Sequence, residues 1–148
     1  MSLVTGVRRL AVAGCGSALL ATGFVAVTAG QAQAATPICS KTVTKTSVDG
    51  ADTFRGPVAA ASNGSLNCQL GPGNSSSAVK ALQNSIKRCE SIDPGSADGI
   101  YGSNTKAAVA KLQKRYHVSP ADGLYGPKTR KVFSWLLLGP QGAACDRF

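Results

Sequence analysis

"PKTRKVFSWLLLGP", residues 127–140, carries Val132, Phe133, Leu136 and Leu137 at steps that share one side of a helix. Pro127 suits the first helical position, where its missing N–H costs nothing. Gly139-Pro140 is a stop signal. These cues predict a third helix over residues 127–138, preceded by two more. Val79, Leu82, Ile86 and Cys89 line one face of a helix over about 76–89. Asn74 to Ser77 offer caps, and Lys87 and Arg88 complement the dipole at its end. Ala108, Val109, Leu112 and Tyr116 do the same over about 103–116. Three short helices predict a compact all-α bundle of about 65 residues.

The second and third helices share a lead-in. "DGIYGSNT", residues 98–105, returns as "DGLYGPKT", residues 122–129. Helices one and two also echo each other, "AVKALQ" at 78–83 against "AVAKLQ" at 108–113. Asp-Gly is a turn dipeptide, since Asp bonds nearby backbone and Gly reaches positive φ without a steric penalty. Asp98, Gly99, Gly102, Asp122, Gly123 and Gly126 are therefore expected to be structural turn residues. Ile100 and Leu124 are expected to turn into the core, and Thr105 and Thr129 to bond the loop from the first helical turn. Tyr101 and Tyr125 admit two uses. They pack on the bundle with a wet hydroxyl, or they offer a flat face to a sugar or peptide.

The N-terminal segment reads as a leader. Arg8 and Arg9 precede an Ala/Gly-rich apolar run that ends at "AQAA", where Ala32 and Ala34 fit a signal-peptidase pattern. A cleaved signal peptide over 1–34 is expected, leaving no stable membrane anchor. "VAGC", ending at Cys15, has the form of a lipoprotein box, but most of the apolar run follows that cysteine, which disfavours it. Residues 35–65 are rich in Thr, Ser, Gly and Ala, with one alternating stretch at 42–48 that suits a strand. They read as an irregular extension held by a disulfide. The bundle would span 66–138 and a tail 139–148. Four cysteines remain, Cys39, Cys68, Cys89 and Cys145, an even number that suits two disulfides in an exported chain. Of the three pairings, Cys39–Cys68 with Cys89–Cys145 is favoured, one closing the extension and the other tying a helix end to the tail.

The formal net charge is +9, and about +7 without Arg8 and Arg9. A basic exported protein suits acidic partners such as wall polymers, anionic lipid or DNA. Few aromatics are interleaved with the basic residues, so nucleic acid is not the expected partner. The only histidine is His117, which leaves no ligand set for a zinc enzyme. With the cysteines paired, no free thiol nucleophile remains, and no nucleophile-elbow motif is present. Among the seven acids, Asp98 and Asp122 are the candidates for a glycosidase pair, but each sits in a turn that explains it. Neither catalysis, a metal nor a cofactor is expected.

The pattern of Leu82-Gln83, Asp98 to Thr105, Ala108-Val109 with Leu112-Gln113, and Asp122 to Thr129 resembles the peptidoglycan-binding domain of the three-helix type. That module occurs beside cell-wall amidases, peptidases and other lytic enzymes, and in small secreted proteins of the actinobacterial type. The resemblance covers about residues 66–138 and departs at Leu112, where the family often has Phe. It implies a non-catalytic module located at the cell wall outside the cell, with peptidoglycan as partner and a wall hydrolase as a possible companion in trans. Stem-peptide carboxylates and glycan faces would suit basic and aromatic side chains. The candidate contacts are Lys80, Lys106, Arg115, Lys128 and Arg130 with Tyr101 and Tyr125, although each cation alone also suits a solvated face. Two other functions fit the same residues: a scaffold or interaction protein that uses the bundle without wall binding, and a nonspecific polyanion binder whose affinity falls steeply with salt.

Overall fold

The structure is a computed structural model that describes residues 35–49 and 51–148. The leader expected over 1–34, with the lipoprotein-like box at Cys15, lies outside the described residues. Seven elements follow in order: β1 (Lys41–Asp49), β2 (Asp52–Ala60), α1 (Ser77–Cys89), α2 (Ser103–Arg115), α3 (Pro127–Arg130), β3 (Trp135–Gly139) and β4 (Gly142–Asp146). The strands form one antiparallel sheet in the order β1-β2-β3-β4. Among the described residues no helix is long and apolar enough to cross a membrane.

The fold is therefore not all-α. The third helix stops after one turn at Arg130, and the run expected to continue it becomes β3. Phe133 and Trp135 are buried, as is Leu137 (0% exposed), whereas Leu138 is 60% exposed. That is the period-two alternation of a strand. β3 pairs with β4 from Trp135↔Asp146 to Gly139↔Gly142, and Pro140 and Gln141 make the turn. Gly139-Pro140 thus marks a hairpin rather than a helix end. A short apolar run such as "WLLL" has no periodicity that separates strand from helix. The hairpin partner and the sheet decide.

The extension is also more regular than its composition suggests. β1 covers the predicted strand at 42–48 and pairs with β2 from Lys41↔Ala60 to Asp49↔Asp52. β2 then meets β3 at Arg55↔Leu138. A Cβ on Gly56 would stand 2.3 Å from the Leu136 carbonyl oxygen, so only glycine lets these strands close.

α1 and α2 form near the predicted positions. The Ser76 hydroxyl caps α1 by accepting from the Val79 N–H at 3.3 Å. Val79, Leu82 and Ile86 enter the core beside Val109 and Leu112 of α2. Tyr125, Phe133 and Trp135 pack mutually edge to face, with ring centroids 4.8–5.8 Å apart. Glu90, just past α1, is buried and draws three segments together. It accepts from the Tyr116 hydroxyl (2.8 Å) and the Ser134 N–H (3.3 Å), and its carbonyl accepts from Arg115 (2.6 Å).

Cys39 is bonded to Cys68 and Cys89 to Cys145. The first bridge is buried in the core, but Cys145 lies exposed on the edge strand β4. Mild reductant is therefore expected to open Cys89–Cys145 first, read as alkylation of that pair in a mass spectrum; alkylation of Cys39 and Cys68 first would contradict this. The exposed bridge spans 56 residues. Replacing both its cysteines with serine is expected to lower unfolding stability by about 2–4 kcal/mol, read from a denaturant midpoint.

Candidate functional site

Both Asp-Gly-x-Tyr-Gly boxes are held by a glutamine from the preceding helix. Gln83 Oε1 accepts from the Gly99 N–H at 2.9 Å. Its Nε2 lies 3.0–3.1 Å from Asp98 Oδ1, the Ile100 carbonyl and Thr105 Oγ1. Gln113 repeats the set with the Gly123 N–H (2.8 Å), Asp122 Oδ1 (3.2 Å), the Leu124 carbonyl (2.8 Å) and Thr129 Oγ1 (3.1 Å). Two amide N–H groups are shared among three oxygens in each clamp. Gly99 and Gly123 have φ of +84° and +74°, and a Cβ on Gly123 would stand 2.6 Å from the Lys106 carbonyl oxygen. Glycine at these two positions is a requirement of the turn.

The clamp explains the repeat and was not legible as one. The echoed Leu-Gln pairs are visible in the sequence, but Gln83 precedes its aspartate by 15 residues and Gln113 by only 9. No fixed spacing advertises the partnership.

The boxes reverse the expected direction of Ile100 and Leu124, whereas Tyr101 and Tyr125 take the packing alternative. Tyr101 and Tyr125 are 1% and 0% exposed, while Ile100 and Leu124 are 55% and 41% exposed. Neighbours in extended backbone face opposite sides, so only one of each pair can enter the core, and the larger ring does. Burial raises both tyrosine pKa values well above the ordinary range. The Tyr101 hydroxyl donates to the Gly123 carbonyl at 2.8 Å, joining one box to the other, whereas the buried Tyr125 hydroxyl has no hydrogen-bond partner among the described residues. Neither ring has a face left for a ligand.

Residues 70–76 run along both boxes. Leu70 pairs with Tyr125 and Ser75 with Ile100, and the Tyr101 N–H donates to the Asn74 carbonyl at 2.9 Å. The first box opens onto a cleft of about 210 Å³ bordered by Pro94, Gly95, Asp98, Ile100 and Asn104. The second opens onto one of about 390 Å³ bordered by Gln69, Val118, Pro120, Asp122, Leu124 and Lys128. Gln69 and Leu124 also border a third cleft of about 210 Å³, with Ile38 and Pro72 on its far side. In each box the bonds to the aspartate end on Oδ1 alone. The Ile100 N–H and Gln83 hold the Asp98 carboxyl below the usual carboxylate range, so it stays ionised.

The candidate cations divide into two groups. Lys80, Lys106 and Lys128 are exposed. Lys80 and Lys106 lie over Gly99 and Gly123, and Lys128 borders the larger cleft, where its Nζ donates to the Ser119 carbonyl at 3.2 Å. Arg115 is engaged with Glu90, and Arg130 donates to the Phe148 carbonyl. The structure thus brings the three lysines to the boxes and commits the two arginines elsewhere. Asp98 and Asp122 add negative charge to a face that the sequence reading made positive.

Residues 75–133 match the family described as "Putative peptidoglycan binding domain". The matched segment holds all three helices, both glutamine clamps and both boxes. A protein of Bacillus licheniformis described as "Probable N-acetylmuramoyl-L-alanine amidase" is 44% identical over 66 residues, which cover 44% of this chain and 18% of that protein. The chain thus spans less than a fifth of that relative's length. No solved structure matches significantly.

Proposed function

We propose that the protein is a secreted, non-catalytic peptidoglycan-binding protein that acts at the cell wall. Its leader is 1–34, and its wall-binding unit, 66–138, is flanked by the segments 35–65 and 139–148. The observation that carries this reading is the coincidence of the family match at 75–133 with two intact clamped boxes. Two disulfides suit an extracellular location. The amidase similarity favours a module that works beside lytic enzymes, here with the hydrolase supplied in trans. Lys80, Lys106 and Lys128 beside the boxes suit the carboxylates of stem peptides.

Incubation with purified insoluble cell wall at physiological salt tests the proposal. Most of the protein is expected in the pellet, with no release of soluble wall fragments. Protein left wholly in the supernatant would overturn wall binding, and turbidity loss of the wall suspension would overturn the non-catalytic part.

A further inference from the structure

Ile100 and Leu124 occupy the same position in two copies of one motif, and both are exposed. The rest of each box is consumed by the fold. The aspartate Oδ1 and threonine hydroxyl meet the glutamine, the first glycine makes the positive-φ turn, and the tyrosine fills the core. An aliphatic side chain left in water at both places has no such use. Each stands at the rim of a cleft beside an aspartate whose Oδ2 accepts no hydrogen bond among the described residues. The two boxes are joined directly, because the Tyr101 hydroxyl of one donates to the Gly123 carbonyl of the other.

We infer that the two boxes are paired subsites for two successive units of one wall polymer, each unit presenting a methyl group next to an amide N–H. This deepens the wall-binding reading and rests on it. An ionised carboxylate accepts and cannot donate, so it selects a ligand N–H, O–H or ammonium and repels a ligand carboxylate. An exposed Ile or Leu beside it selects a small apolar group. A methyl-bearing secondary amide supplies both within a few bonds. Peptidoglycan offers that chemistry twice, as the acetamido groups of its amino sugars and as the alanines of its stem peptides. A doubled site also suits a repeating ligand, since the second contact forms at high effective concentration once the first is made. The third cleft, shared through Leu124 and Gln69, extends the same groove past the second box toward Ile38.

The test is calorimetry on the full protein and on I100S, L124S and the double variant. The probes are N-acetylglucosamine as monomer and as short oligomer, and alanine-bearing stem peptides, single and cross-linked. Both side chains are exposed, so the variants are expected to melt with the wild type, and a melting curve verifies this before binding is compared. The wild type is expected to bind the multi-unit form of one probe class at least about tenfold more tightly than its single unit. Each single substitution is expected to remove about tenfold in affinity for the multi-unit form, and with it most of that preference. Which class shows the preference tells glycan from stem peptide. If only one of the two positions matters, or multi-unit probes bind no better than single ones, the paired-subsite inference falls while wall binding stands. If the wild type also fails to pellet with wall, both fall.

Discussion

Replacing Gln113 with leucine is expected to lower unfolding stability by about 3 kcal/mol while preserving side-chain volume. Gln113 is buried, and its amide is the shared partner of four groups in the second box. Leucine fills the space but leaves the buried Gly123 N–H without an acceptor and strips a donor from the Leu124 carbonyl. Each orphaned buried group costs about 1–3 kcal/mol. The orphaned Gly123 N–H, together with the lost Nε2 bonds to Asp122, to Thr129 and to the Leu124 carbonyl, which keeps the Thr129 hydroxyl as a donor, accounts for the expected loss, which corresponds to a fall in melting temperature of roughly 10 °C. Gln83→Leu should cost a similar amount at the first box. The two effects should not add cleanly, because the Tyr101 hydroxyl docks on the Gly123 carbonyl and the boxes share a contact. Urea unfolding of both single variants and the double variant measures this. A loss under about 1 kcal/mol for each single variant would show that the turns hold themselves and that the glutamines are incidental.

Leu137→Asp is expected to abolish folding or remove at least about 4 kcal/mol, whereas Leu138→Asp should stay within about 0.5 kcal/mol of wild type. The contrast follows from the strand. Leu137 points inward, with its Cδ2 2.8 Å from where a Cβ on Gly56 would stand, and an aspartate there has no partner for its charge. Leu138 faces solvent, next in sequence and opposite in direction. A helix over 127–138 would also turn Leu137 inward but would set Leu136 beside it on the core side, whereas in the strand Leu136 is only half-buried. Soluble yield and a denaturant midpoint for the two variants decide. Equal, mild effects from both would contradict the β3 assignment.

The two long helices were legible because their signals are local. Apolar side chains at helical spacing, Ser76 as a cap and basic residues in the last turn all lie within the helix they define. The four cysteines and the duplicated boxes were equally plain. Less legible was what the boxes hold. The clamps join Gln83 to a loop 15 residues on and Gln113 to one 9 residues on, and such partnerships form only when the helices are in place. The lysines illustrate the same limit. Charge placed five cations near a ligand on equal terms, but Arg115 and Arg130 turn to internal carbonyls, and only proximity in space reveals it.

The sequence by itself determined α1 and α2, the turn chemistry of both boxes and their resemblance to a wall-binding module, because each rests on contacts a few residues apart or on a motif read in order. The tertiary structure alone decided that residues 135–139 are a strand, since a run of three leucines satisfies either geometry until β2 and β4 supply hydrogen-bond partners. It alone also decided which box residues face the solvent. Tyrosine and its aliphatic neighbour compete for one core position, and the larger ring takes it. Ile100 and Leu124 are left on the surface, beside the clefts.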